Sequence, residues 1–380
     1  MLNGFRVDPI EPSGPAENGT ADRTVNRRIC RVGKFELAIP AMQAGLAGYS
    51  DMAMRVVARR RGCPYAVTEA LLDRVLLKGG RGLEKGAILC DEDHPVAGQL
   101  MGSEAEELAA AAGILRESGF DVIDLNFACP VKKVMGRCRG GYLLSDPEQA
   151  MTIMRRVRDA SAGPLTIKLR RGLNDSAQAS DWFDAIFAEA VRLEFAAVAV
   201  HGRTVEQKYT GRADWEFLRR LKAKHPEVVI FGSGDVFSAA DALRLYQLTG
   251  LDGIWVARGA IGNPWIFSEF AALVRGDPLP EPPTLFAQKE ALLEHFRLAV
   301  EIYGEESASR QMRKIGIKYS RLHPAGAAVW RRFIAVKSHA DWLAVLDEFY
   351  GVDGPGQRTA SVADAQDLYK DCAVDAGVAV

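Results

Sequence analysis

The sequence predicts an α/β fold: a (β/α)8 TIM barrel followed by a small all-α C-terminal domain. Three observations carry this. Short apolar runs, mostly β-branched, recur at intervals of about 25–35 residues from residue 35 onward. Amphipathic helical stretches such as 104–118, 147–159 and 180–193 lie between them. Beyond residue 277 the strand-like runs stop and helical periodicity continues towards the end. The runs are 35–41, 65–68, 95–101, 122–126, 165–170, 196–201, 228–232 and 253–257. Eight strands, each followed by a helix, is the barrel count. An open doubly wound sheet would more usually have about six strands and a GxGxxG turn after the first, and none is present.

Residues 1–33, rich in Pro, Gly, Asn and charge, read as a flexible leader without the continuous apolar core of a signal peptide. The barrel is expected over 34–275. The run Gly276-Asp277-Pro278-Leu279-Pro280-Glu281-Pro282-Pro283 marks a linker over 276–284, and a helical domain follows over 285–380. The chain has 380 residues, 48% of them hydrophobic, which is ample for one large core. Six scattered cysteines without a CxxC pair fit reduced thiols in a cytoplasmic protein, not a disulfide scaffold or a zinc site. No apolar run approaches the ~20 residues of a membrane span. The net charge of −1 leaves nucleic-acid binding to local clusters.

Reactive side chains of such a barrel sit at the C-terminal ends of its strands. The fourth strand ends in Asp124-Leu125-Asn126-Phe127-Ala128-Cys129-Pro130. The fifth carries Lys168 and Arg170, which alternation places on one face. The sixth ends in His201-Gly202-Arg203-Thr204, and the third contains Gln99. A thiol, an imidazole, cations and amides thus converge without a carboxylate pair or metal cluster. That set suits proton transfer and anion stabilisation around a bound cofactor. The last two strands end in glycine-bearing turns, Gly232-Ser233-Gly234-Asp235 and Ala257-Arg258-Gly259-Ala260, at the usual phosphate position of these barrels. A phosphate there and a cationic Lys168 near the centre suit FMN.

The motifs resemble those of the tRNA-dihydrouridine synthases. Asn-Phe-Ala-Cys-Pro at 126–130 is similar to that family's Asn-x-Gly-Cys-Pro. His-Gly-Arg-Thr at 201–204, with Gln207, Tyr209, Gly211 and Ala213-Asp214-Trp215, is similar to the next block. Gly234-Asp235 and the run from Arg258 to Phe267 resemble the last two, and Ser50-Asp51, Arg55 and Thr68-Glu69 the opening one. The resemblance spans about residues 36–340, with its blocks in the family's order. It implies FMN, NADPH as reductant, and reduction of the uridine C5–C6 double bond in tRNA. Hydride passes to C6 and the Cys129 thiol protonates C5; Asn126, Arg170, His201 and Arg203 hold the uracil. Ala41, Met42, Gln99, Lys168, His201, Ser233, Gly234, Asp235, Ala257 and Arg258 contact the cofactor. The family's Ala-Pro-Met-Ala-Gly opening is blurred: either Gly45 and Leu46 replace Pro and Met, or Pro40-Ala41-Met42 take that role with an insertion. Ala128, Ser233 and Ala257 replace residues usual in the family, all by small ones.

Gly62-Cys63-Pro64 copies Gly-Cys-Pro more literally, but it precedes the second strand, on the face that serves stability, so Cys63 is not the acid. Asp235 reads as a turn and helix-cap residue rather than an acid catalyst, and His323 as structural. In the helical part, Arg310, Lys314, Lys318 and Arg321 recur at helical spacing, and no Asp or Glu lies between 310 and 340. With Arg331 and Arg332 they predict a tRNA-binding face. Two other functions fit fewer of these features: an FMN barrel reducing a free small molecule, of the dihydroorotate or ene-reductase type, and a non-catalytic RNA-binding protein.

Overall fold

The computed structural model describes residues 29–80 and 87–360. Most of the expected leader, and the chain from 361 on with Cys372, lie outside the described residues. The first two strands, β1 (Cys30–Val32) and β2 (Phe35–Leu37), form an antiparallel hairpin. Eight parallel strands then close a barrel: β3 (Ala41–Gln43), β4 (Ala66–Leu72), β5 (Val96–Met101), β6 (Val122–Phe127), β7 (Leu165–Arg170), β8 (Ala197–His201), β9 (Ile230–Ser233) and β10 (Gly253–Val256). Closure pairs β10 with β3, so the barrel has no open edge. The TIM-barrel expectation therefore holds.

One strand falls elsewhere. The run 35–41 is not the first barrel strand: residues 35–37 belong to the hairpin, and the barrel begins at Ala41. Burial gives the reason. Strand β3 is buried at every residue, as a barrel strand covered on both faces must be. Strand β2 buries only Leu37 fully. The hairpin turns at Gly33 (φ +58°), where a Cβ would stand 2.9 Å from Pro164. Cys30, Val32 and Leu37 then pack with Tyr65, just ahead of β4, and with Val122 and Ala197, which open β6 and β8, and close the barrel's N-terminal end.

Helices cover the outside, and their starts follow local rules. Asp146 accepts the Gln149 N–H ahead of Pro147–Ala160, with proline in the first turn. Ser176 caps Ala177–Arg192, and Ser238 with Asp241 forms a capping box on Ala239–Thr249.

After residues 276–284 come four helices: Leu285–Tyr303, Glu305–Tyr319, Gly326–Ile334 and His339–Tyr350. They share a second core of Met312, Tyr319, Phe333, Trp342 and Tyr350. Ala53, on the first barrel helix Met52–Arg59, belongs to that core, so the helical region docks there. Gly262 makes the docking close: a Cβ on it would lie 2.5 Å from the Lys318 carbonyl carbon. Arg61 pairs with Glu294 at 2.8 Å, and the Tyr303 hydroxyl donates to Asp51 Oδ2 at 2.9 Å. The Lys314 ammonium donates to the Gly48 carbonyl, on the loop after β3. Among the described residues no helix is long and apolar enough to cross a membrane.

Candidate active site

Strand register assembles the site. Asn126 pairs with Lys168, Arg170 with His201, and His201 with Ser233. These residues end β6 to β9, at the C-terminal mouth.

A chain of hydrogen bonds fixes the half of the mouth that bears the thiol. The Thr166 hydroxyl donates to Asp124 Oδ1 at 2.6 Å, and Gln99 Nε2 donates to Asp124 Oδ2 at 2.8 Å. Asn126 Nδ2 donates to Gln99 Oε1 at 2.8 Å. Asn126 Oδ1 then accepts the backbone N–H groups of Ala128 and Cys129, both at 3.1 Å. The Asn126 amide thus builds the turn that presents Cys129. In the structure the amide expected to hold the uracil also positions the thiol. Burial pushes the half-buried Cys129 thiol up, Arg170 opposing, so the group keeps its proton at neutral pH. Burial raises Asp124 to about 6.

The other half is cationic. Lys168 donates to Ser233 Oγ at 2.8 Å and lies 5.3 Å from the centre of the Trp255 ring. Burial, then Arg170, lowers its ammonium to about 7. His201 Nδ1 is 3.0 Å from the same Ser233 Oγ. Because that oxygen already accepts from Lys168, its own proton is free to go to Nδ1. The imidazole then carries its hydrogen on Nε2. That Nε2 is buried and has no hydrogen-bond partner among the described residues. Burial and the flanking Arg170 and Lys168 hold His201 well below the usual imidazole range, so it is neutral. Arg170 Nε donates to the Ala128 carbonyl at 2.9 Å, and Nη1 to the carbonyls of Thr204 and Lys208 at 2.8 and 2.7 Å. Arg170 therefore braces the Cys129 turn against the loop after β8.

The glycine turns after β9 and β10 lie against each other. A Cβ on Gly259 would come within 2.6 Å of the Val236 carbonyl. Gly234 has φ +123°, and a Cβ there would meet Ala213 at 2.5 Å and His201 Cε1 at 3.4 Å. Trp215 Nε1 donates to the Gly234 carbonyl at 3.0 Å. Asp235, at φ +55°, caps no helix; Ser238 does. Its carboxylate instead takes Arg203 Nη2 at 2.6 and 2.8 Å and the Ala213 N–H at 2.7 Å. Arg203 is buried and holds the loop through that pair and the Gly211 carbonyl, while its Nη1 has no hydrogen-bond partner among the described residues. The Arg258 guanidinium lies 5.1 Å from the Tyr209 ring centre and 4.7 Å from that of Phe237.

Ala41 and Met42 lie deeper than expected. Strand β3 ends at Gln43, so the backbone at the mouth is that of residues 44–46. Gly45 is required there, since its Cβ would stand 2.2 Å from the Thr68 carbonyl. Cys63 is buried ahead of β4, its Sγ 3.2 Å from the Tyr65 carbonyl, away from the mouth. Of the basic residues, Arg310, Arg331 and Arg332 are exposed, and Lys314 and Arg321 half-buried. Lys318 is buried against the Gly262 turn, so the four-residue stripe is not one solvent face. His323 is structural, donating to or accepting from backbone on both ring nitrogens. Sequence reasoning missed the Lys168–Ser233–His201 bridge and the Asp124 anchor.

These features define a parallel barrel with a polar, largely cationic site at its C-terminal mouth. The dihydrouridine synthase family model matches residues 42–350. A Mycobacterium tuberculosis protein named "Probable tRNA-dihydrouridine synthase" is 33% identical over 84% of this chain and 85% of its own length. The "tRNA-dihydrouridine synthase B" of Xanthomonas axonopodis pv. citri is 32% identical over 78% of this chain and 88% of its own. The chain belongs to the dihydrouridine synthase family. Among solved structures, a 2-naphthoyl-CoA reductase shares 11% identity at a TM-score of 0.51, over 66% of this chain and 52% of its own. The histamine dehydrogenase of Rhizobium sp. 4-9 shares 14% at 0.50, over 65% and 47%. At that identity these two share the fold alone.

Proposed function

We propose that the protein reduces the C5–C6 double bond of uridine in tRNA, with FMN as cofactor and NADPH as reductant. The observation that carries this is the Cys129 turn: a protonated thiol held by Asn126 at the edge of a cationic barrel mouth.

The residues present fit a flavin phosphate and ring. The Gly234 and Gly259 turns leave no room for side chains, as a backbone cradle for a phosphate requires. The buried His201 Nε2 lacks an acceptor, and Lys168 and Arg170 favour negative charge at the mouth. Ser233, Gly234, Ala257 and Arg258 would hold the phosphate, and Gln99 and Lys168 would hold the ring, with residues 44–46 at its edge. Bound FMN, reduced by NADPH, would supply the hydride added to C6.

The chain's own residues do the rest. A uracil in folded RNA must leave its stack to reach the mouth. His201 Nε2 donates to a carbonyl oxygen placed there. As negative charge develops at C5, the Cys129 thiol gives up its proton to that carbon, and its raised pKa keeps the proton available until then. Arg170 and Asn126 hold the thiol's turn while the proton moves. Exposed Arg310, Arg331 and Arg332 supply cations for the tRNA backbone, Arg310 and Arg332 out of weak surface pairs with Glu306 and Glu348.

The test compares substrates. Purified protein reconstituted with FMN should oxidise NADPH and form dihydrouridine in unmodified tRNA, and do so far less with free uridine. Equal rates on the free nucleoside, or retention of FAD instead of FMN, would sink this reading.

A further inference from the structure

A second cleft opens on the same rim, outside the site just described. It encloses about 570 Å3 between helix Asp73–Lys78, the turn after β5 and the loop that follows Cys129. Four of its nine lining residues are cations: Arg74, Lys78, Arg137 and Arg139. Glu104 is the one acid among them. Arg74 is paired with Glu107 at 2.7 Å. Among the described residues Lys78 and Arg137 have no acidic partner, and both are exposed.

Arg139 is the telling member. It is only 6% exposed, and its nearest carboxylate, Asp73, lies 3.7 Å away, beyond hydrogen-bond reach. Arg139 Nε and Asp73 Oδ2 are both buried without a hydrogen-bond partner among the described residues. A buried guanidinium with an unfilled donor, in the wall of a cationic cleft, is a site for an acceptor with more than one oxygen. Local structure joins this wall to the thiol. Gly140, at φ +60°, would put a Cβ 2.9 Å from that of Cys129, and the Gly141 N–H donates to the Cys129 carbonyl at 2.9 Å.

The cleft follows β4, β5 and β6, whereas the Gly234 and Gly259 turns follow β9 and β10 across the barrel. It is therefore separate from the phosphate cradle assigned above. A base turned out of its stack into the mouth draws its flanking backbone phosphates to the rim. We propose that this cleft binds a phosphodiester of the RNA backbone beside the reacting uridine, with Lys78, Arg137 and Arg139 as its contacts. This rests on the reading of the protein as a tRNA-dihydrouridine synthase.

The test uses full-length, FMN-loaded protein and an unmodified tRNA transcript. The variant is Lys78→Ala with Arg137→Ala; both side chains are exposed, so folding is preserved. tRNA binding should weaken ~10-fold or more, and the plot of log affinity against log salt should become shallower by about 1.4–1.8 units for two lost contacts. NADPH oxidation without tRNA should be unchanged. Arg219→Ala with Arg220→Ala, on a barrel helix outside the cleft, should keep the original slope. A variant with unchanged affinity and slope overturns the inference. So does one whose NADPH half-saturation rises while its tRNA slope holds, because the cleft would then serve the reductant's phosphate. Dihydrouridine formation by the unaltered protein, measured alongside, separates the two levels. If it occurs while the variant's slope is unchanged, only this inference falls; if it is absent, the functional reading falls with it.

Discussion

In the proposed reaction the Cys129 thiol needs a proton to give and a fixed position, and different neighbours supply the two. Burial keeps the proton on sulfur, and Asn126 ties down the backbone that carries it. Cys129→Ala should therefore still bind flavin and consume NADPH but form dihydrouridine ~100- to 10,000-fold more slowly, as loss of general acid catalysis dictates. Cys63→Ala should keep the original rate; the reverse result would place the acid at the other cysteine. Asn126→Ala should lower dihydrouridine formation by roughly 10- to 100-fold with tRNA affinity intact, since misplacing a reacting group is costly even when binding survives. Lys168 gives a prediction that needs no turnover. Its ammonium titrates near 7 when folded and at its ordinary 10.5 when unfolded. Between those values the unfolded chain binds more protons, so this group makes stability rise with pH across the window. Lys168→Met should remove from the flavin-free protein a rise of up to about 1.4 kcal/mol per pH unit, read as melting temperature against pH. An identical pH profile in the variant would refute the shift. The Lys168–Arg170 face was legible from alternation alone. The shared Ser233 oxygen was not, because it depends on the register of three strands that are distant in sequence. Asp124 was legible by the same alternation, two residues before Asn126, but its bonds to Thr166 and Gln99 depend on strand pairing.

At the scale of elements, the strand spacing revealed the barrel, and the errors lie where burial rather than pattern decides. Residues 35–37 read as part of one apolar run with the barrel strand but pack as a plug, a distinction carried by contacts across the barrel floor. The basic stripe is not one solvent face, for a related reason. Helical spacing puts Arg310, Lys314, Lys318 and Arg321 on one face, but the barrel covers part of that face: Lys318 packs on Gly262 and Lys314 donates to the Gly48 carbonyl. Lys318→Glu should therefore act on folding. Reversing a buried charge at the docking surface should cost about 2–4 kcal/mol, seen as a lower melting temperature in the helical region. Arg310→Glu with Arg331→Glu should leave the melting temperature unchanged, weaken tRNA binding and flatten its salt dependence. Loss of tRNA affinity in the Lys318 variant at full stability would restore the stripe as an RNA surface.

Across the whole molecule, two cores meet at the loop after β3. Lys314 and Tyr303 from the helical region hold Gly48 and Asp51 of that loop, which leads from Gly45 at the mouth to the first barrel helix. The helical region thus helps to shape the barrel mouth, and in the proposed function its exposed arginines face the tRNA backbone. A chain of this kind should act on a base presented by folded RNA, not on the free base. Mass-spectrometric mapping of an unmodified tRNA transcript, after incubation with FMN-loaded protein and NADPH, tests this most directly. A gain of two hydrogens at a defined uridine, absent with Cys129→Ala and absent from the same sequence unfolded, is the predicted result. An unmodified transcript in the presence of steady NADPH oxidation, or equal reduction of free uridine, would contradict it.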